Sequence, residues 1–138
     1  MANEAADKNA IRELLAVYCF KLDGGLHEEM AALFTEDGTW DTAFGTGTGR
    51  DGIVAQLRKI AALSTGPRPR RAHLTTNIVI ELAGDSATAR SNWTVIENST
   101  NGPRISSGGE YRDQLVKRNG QWLFKYRKID RFIAEGLF

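Results

Sequence analysis

Three side chains in this sequence are of types that together can move a proton: Tyr18, Asp23 and His73. An imidazole held by a carboxylate is kept in one tautomer and its conjugate acid is stabilised, so it can work as a general base near neutral pH. A phenol on an apolar stripe can donate a proton or a hydrogen bond to a leaving oxygen or an enolate. With Asp23 as orienter, His73 as base and Tyr18 as acid, the trio suits proton abstraction followed by elimination or isomerisation. Each residue also has a plainer use. A helical tyrosine commonly packs in a core with its hydroxyl satisfied, and a lone histidine is commonly structural.

The elements that must position the trio can be read from periodicity. Ile11, Leu14, Leu15, Tyr18 and Leu22 recur at the spacing of a buried helical stripe. Asp7 or Asn9 can cap this first helix after a frayed start over residues 1–6, and Gly24-Gly25 stop it after about Leu22. Asp23 therefore falls at a helix C-terminus, where the dipole favours cations, and it needs either solvent or a partner. A second helix is expected over His27–Phe34. A turn follows at Asp37-Gly38, then a short strand at Thr39-Trp40-Asp41 and a mobile glycine-rich loop over Thr42–Gly49. That loop lacks the Lys-Ser/Thr and the strand-to-helix context of a phosphate-binding loop. A third helix runs from about Arg50 to Leu63 on an Ile53, Leu57, Ile60, Ala61 stripe. Ser64 to Arg71 is a turn with two prolines and three arginines, which can grip an anion or simply face solvent.

From Ala72 the period changes to two. Four long segments, His73–Leu82, Ser86–Asn98, Ser107–Arg118 and Gln121–Ile133, are separated by turn signals, of which Asn119-Gly120 is a hairpin signal. Strict alternation puts His73, Thr75, Asn77 and Val79 on one side of the first, and Leu123, Lys125, Arg127 and Ile129 on one side of the last; a bulge would reverse the parity. Helices followed by an antiparallel meander make an α+β domain whose helices cover one face of a curved sheet. One face is expected to enclose a partly polar pocket and the other to meet a second subunit.

The totals narrow the classes. At 138 residues with no repeats, the chain reads as one domain over 1–138. Its 18 basic and 17 acidic residues leave a net charge of +1, which argues against a nucleic-acid or membrane-surface binder. Without a signal-like or membrane-spanning apolar run, a cytoplasmic protein is expected. The single cysteine, Cys19, excludes an internal disulfide and reads as a buried structural thiol. Trp40, Phe44, Trp93 and Tyr111 can line an aromatic pocket or serve as core. His27 reads as a surface residue, and with His73 it lacks metal-ligand spacing, so no metal is expected.

The segments Ala10-Ile-Arg-Glu-Leu-Leu-Ala-Val-Tyr18 to Asp23, Leu33-Phe-Thr-Glu-Asp37-Gly, Gly49-Arg-Asp-Gly-Ile53, His73-Leu-Thr-Thr-Asn77 and Gly120-Gln-Trp122 to Arg127 resemble the SnoaL-like family. That family belongs to the nuclear-transport-factor-2-like superfamily, which also holds scytalone dehydratase and ketosteroid isomerase. The resemblance implies a cone-shaped α+β domain in which three N-terminal helices wrap a curved sheet around a pocket, commonly as a homodimer packed through its sheets. Asp23 and His73 resemble the Asp–His dyad of scytalone dehydratase and lindane dehydrochlorinase, Tyr18 resembles a tyrosine of the bile-acid dehydratases, and Arg127 resembles an arginine in such pockets. Where scytalone dehydratase has a second histidine, this chain has Ser91-Asn92-Trp93, with Asn92 as a substitute donor. The resemblance implies a lyase or isomerase without metal or organic cofactor, acting on a hydrophobic cyclic small molecule. The alternative is a non-catalytic binding or oligomerisation module, or a dioxygenase beta-subunit-like scaffold.

Overall fold

The computed structural model describes residues 3–64 and 66–135. The chain runs α1 (Glu4–Asp23), α2 (His27–Ala31), β1 (Phe34–Thr42), β2 (Gly45–Thr48), α3 (Gly49–Ala61), β3 (Arg71–Ala83), β4 (Ser86–Ser99), β5 (Gly102–Arg118) and β6 (Gln121–Ala134). One six-stranded sheet has the order β2-β1-β6-β5-β4-β3. Every pairing is antiparallel except that of β1 with β6. This is the expected α+β architecture, with three helices covering one face of a mixed sheet.

The helix α1 forms on the expected stripe: Ile11, Leu14, Leu15 and Tyr18 are all buried. Its cap differs from the expected Asp7 or Asn9. Asn3 caps it by accepting from the Ala6 backbone N–H at 3.1 Å, so the helix is formed from Glu4, while Met1 and Ala2 lie outside the described residues. Asp7 instead lies inside the helix and docks it onto the β5–β6 hairpin, accepting from the Trp122 indole and the Lys117 ammonium, each at 3.0 Å. Those two hydrogen bonds, the Trp122 one above all, hold its carboxyl below the usual carboxylate range.

Three expectations between α1 and α3 are corrected. The second helix ends at Ala31 rather than Phe34, because Phe34 leaves to pair with Phe124 and the Phe124 N–H bonds the Leu33 carbonyl at 2.9 Å. Asp37-Gly38 is then a bulge inside β1, not a turn. The expected mobile loop over Thr42–Gly49 is a hairpin. The Thr42 hydroxyl donates to the Gly45 carbonyl at 2.7 Å, and β2 pairs with β1 from Thr39↔Thr48 to Thr42↔Gly45. Glycine is required at Gly47, where a Cβ would stand 2.6 Å from the Gly52 carbonyl oxygen in the first turn of α3. Within the expected turn over Ser64–Arg71, Thr65 lies outside the described residues, and Arg71 already belongs to β3.

Bulges decide which residues face the helices. In β3 the register shifts between Thr76 and Val79, with Asn77 at φ 55°. His73 and Thr75 therefore share the inner side with Ile78 and Ile80, while Val79 is 61% exposed, which corrects the strict alternation. In β6 the shift at Gln114/Leu115 makes Lys125 the extra residue, so Trp122 and Phe124 point inward and then Arg127 does. On β4 the inner set is Ala87, Ala89, Ser91, Trp93 and Val95, all buried.

A charged pair lies within this core. Arg127 and Asp113 both have no side-chain exposure; Nε stands 2.9 Å from Oδ1, and Nη2 donates to Oδ2 at 3.4 Å. The guanidinium lies against the rings of Tyr111, Tyr18 and Phe124 at 3.6, 4.1 and 4.6 Å from their centroids. Burial works against charge on Arg127, but Asp113 and the two phenols outweigh it. Burial likewise pushes the Asp113 carboxyl up to about 6, with Arg127 pulling the other way.

Removing one partner of such a pair strands the other. Arg127→Met is expected to lower stability at pH 8 by about 3–5 kcal/mol. Without Arg127 the folded-state pKa of Asp113 rises further above its unfolded value, so the carboxyl binds a proton more tightly in the folded state. Its contribution is then present at low pH and lost as pH rises, and the cost of the substitution shrinks from pH 8 to pH 5. Arg127→Met with Asp113→Leu is expected to be more stable than Arg127→Met alone at pH 8. Urea unfolding at the two pH values checks both statements.

Candidate functional site

A cavity of about 540 Å³ opens between α1, α3 and the inner face of the sheet. Tyr18, Asp23 and His73 all line it, although β3 begins almost fifty residues after α1 ends. The helix that buries Tyr18 carries Asp23 at its last position, so one rigid element sets both.

The misplaced carboxylate does have a partner. Asp23 Oδ1 lies 2.5 Å from His73 Nδ1, and Asp23 Oδ2 accepts from the His73 backbone N–H at 2.8 Å. A carboxylate offers only lone pairs, so Nδ1 carries the proton and donates. Nε2 is left without a hydrogen-bond partner among the described residues. The two side chains retain 13% and 17% exposure, which leaves the pair within reach of a molecule in the cavity. The imidazole packs beside the Trp93 indole at 6.2 Å between centroids, and Trp93 continues the layer to Tyr111 at 5.9 Å.

Tyr18 is set on three sides. Its ring meets Tyr111 and Phe124 edge-on, the Arg127 guanidinium lies over it, and its oxygen accepts from the Trp40 indole N–H at 2.8 Å. That bond occupies a lone pair and leaves the O–H free to donate. Burial raises the phenol well above the ordinary tyrosine value, beyond what Arg127 and Trp40 pull back, so Tyr18 is a donor at any ordinary pH.

The aromatic candidates fall around the same space. Trp40, Trp93 and Tyr111 are buried walls, while Phe44 is 53% exposed at the mouth with Arg131 stacked on it at 5.3 Å. The Trp93 wall depends on Gly109. The indole N–H donates to the Asp130 carbonyl at 3.0 Å, and a Cβ on Gly109 would overlap that same oxygen.

Two of the expected substrate contacts lie outside the cavity lining. Arg127 does not line the cavity: it lies beneath the Tyr18–Tyr111 floor and is spent on Asp113. Asn92 has even parity on β4 and is turned away from the buried inner set; it accepts from Asn77 and donates to the Gly109 carbonyl. His27, expected at the surface, is half-buried at the cavity mouth. Sequence reasoning missed Arg131, which shares the inner side of β6 with Ile129, and the apolar wall of Leu57, Ile60 and Ile129. A stripe of Leu57 and Ile60 in α3 was visible, but nothing in it separates core from cavity lining.

Among the described residues no group of three or more His, Cys, Asp or Glu side chains is arranged to hold a metal ion, and no helix is long and apolar enough to cross a membrane.

Comparison with known proteins agrees with this fold. A protein of unknown function from Mycobacterium tuberculosis, solved as an Asp-to-Asn variant, is 32% identical over 93% of this chain and 73% of its own, with a TM-score of 0.81. A Catenulispora acidiphila protein in complex with S-DNPA is 25% identical, covering 93% and 95% of the two chains at a TM-score of 0.81. A protein named as the beta subunit of an aromatic-ring-hydroxylating dioxygenase from Novosphingobium aromaticivorans shares the fold at 20% identity, with 92% and 90% covered and a TM-score of 0.77. Among curated proteins, none matches. The SnoaL-like domain pattern matches residues 3–128, and with it the chain belongs to the SnoaL-like family of nuclear-transport-factor-2-like folds.

Proposed function

We propose that this protein binds a small molecule with a ring-containing apolar body in the cavity, and that His73 acts on it as a general base. The observation that carries the reading is the double engagement of His73 by Asp23, through Nδ1 at 2.5 Å and through the backbone N–H at 2.8 Å. Such a grip aims the ring and leaves Nε2 as its only unused nitrogen.

The chemistry this supports is a cofactor-independent elimination or isomerisation. Nε2 takes a proton from a carbon next to an electron-withdrawing group, and Asp23 stabilises the imidazolium that forms. The electron pair moves toward the neighbouring carbonyl oxygen, to which the Tyr18 hydroxyl donates a hydrogen bond. It then either expels a leaving group one carbon further on, which departs with the proton from Nε2, or is re-protonated at another carbon. The resemblance of Asp23, His73 and Tyr18 to the scytalone dehydratase and bile-acid dehydratase type supports this reading, as does the small molecule carried by the Catenulispora protein.

A second reading, a domain that binds such a molecule without turning it over or serves as a scaffold, is favoured by the comparisons. The relative at 32% identity has no known function, and a dioxygenase beta subunit shares the fold. Under either reading a homodimer packed through the outer sheet face is expected, because Leu74, Val79, Ile105, Phe132 and Ile133 are exposed on the strands.

Two measurements test the proposal. In a long-range ¹H–¹⁵N spectrum, the neutral His73 ring is expected to be protonated at Nδ1, and Asp23→Asn is expected to abolish that preference; a wild-type ring protonated at Nε2 would sink the base assignment. His73→Ala is expected to keep ligand binding, followed by quenching of Trp40 and Trp93, while lowering turnover by about 10²–10⁴-fold. Undiminished turnover in that variant removes the catalytic reading. Binding by the wild type with no turnover across hydroxy-ketones and halides hands the lead to the binding module.

A further inference from the structure

Four arginines converge on the mouth of the cavity from two parts of the chain. Arg68 and Arg70 lie on the connection after α3, Arg71 opens β3, and Arg131 comes from β6. None has a carboxylate within ion-pair distance among the described residues. Of the arginines elsewhere, Arg58, Arg90, Arg104, Arg112 and Arg127 each meet an Asp or Glu, and Arg50 is held by the Phe34 carbonyl, whereas Arg12 and Arg118 are, like the four at the mouth, without a carboxylate partner among the described residues. Glu97, which acts on Arg68 from nearby, is itself held by Arg104 at 3.0 Å. Asp23, the one carboxylate lining the cavity, is engaged by His73. Four cations and one spent anion thus surround an opening in a chain whose net charge is only +1. Partial burial and the neighbouring Arg71 both disfavour charge on Arg68, a repulsion that an anion between them would relieve.

A solvated loop does not account for this arrangement, because Arg131 belongs to a different element and reaches the same rim. Unpaired guanidiniums lining an apolar cavity are a fork-shaped donor set for a planar anion. Resting on the proposal that the cavity binds a ring-containing molecule, we infer that this molecule is an anion: an aromatic or alicyclic acid whose carboxylate sits among Arg68, Arg71 and Arg131. Arg71 and His73 are two residues apart on one strand and share its inner side, about 6.6 Å apart along the strand. The donors for the acid group and the His73 ring therefore line one cavity from the same strand.

The test compares 2-naphthoate with neutral 2-naphthamide, by tryptophan quenching on the wild-type protein at low salt. The naphthoate is expected to bind about tenfold more tightly, as a charge-assisted contact should provide, and the advantage is expected to shrink at high salt. Arg71→Gln with Arg131→Gln is expected to remove the advantage while leaving naphthamide binding unchanged. Arg112→Gln, an exposed position paired with Glu110, alters the charge away from the cavity and is expected to retain the advantage. Equal affinity for the two probes, or an advantage that survives in the double variant, overturns the anion inference alone. Failure of both probes to bind overturns the ring-binding proposal and this inference with it.

Discussion

A guanidinium wholly removed from water is the constraint around which this fold is arranged. Arg127 has no side-chain exposure, yet it keeps its charge, because Asp113 lies beside it and Tyr18 and Tyr111 offer it their ring faces. Those contacts fix the two tyrosines relative to one another from beneath. Tyr18 is in turn fixed from the side by the Trp40 indole, and Tyr111 by its stacking on Trp93. The floor and walls of the cavity are thus one contiguous set of contacts built outward from a buried cation.

The second tie is between α1 and β3. Helix dipoles make a C-terminal carboxylate unfavourable unless it is partnered. Here Asp23 is partnered twice by one residue, through the backbone and through the ring of His73. The backbone bond is consistent with a structural clasp and the ring bond with an orienting role. Because the same carboxylate makes both, helix docking and imidazole orientation are inseparable. The thiol of Cys19 adds to this seam, lying 3.3 Å from the Thr75 hydroxyl, two residues along β3 from His73.

Local signals are legible in the sequence and long-range ones are not. The α1 stripe, the long meander and the Asn119-Gly120 turn belong to the first kind; Asn119 and Gly120 do adopt the left-handed conformations that such a turn demands, at φ 53° and 76°. The isolation of Asp23 at a helix end was also legible and pointed toward a partner. The β1–β2 hairpin was not, since its Gly and Thr residues carry no apolar alternation and are ordered by pairing with β6 and by the approach of α3. Bulges were the other blind spot. Asn77, Lys125 and Phe132 each add a residue that flips the parity of the strand beyond it. Beyond the Lys125 bulge Arg127, Ile129 and Arg131 share the inner side, whereas before it Trp122 and Phe124 do. Asn92 lies outside the cavity lining because alternation puts it on the face opposite Trp93.

The protonation states available in the cavity limit what chemistry any occupant can meet. Burial raises the phenols of Tyr18 and Tyr111, and burial also raises the Cys19 thiol, so none of the three offers an anion near neutral pH. Asp113 is below the floor and bound to Arg127, and Asp23 is turned toward His73. The arginines at the rim carry protons they do not release. His27 stands at the mouth, away from the aromatic floor, while His73 lies against Trp93 in the interior. Among the described residues lining the interior, Nε2 of His73 is the imidazole nitrogen left with a free lone pair. Under the proposed chemistry that atom would take the proton, and the Tyr18 hydroxyl is a buried donor for an oxygen that gains charge.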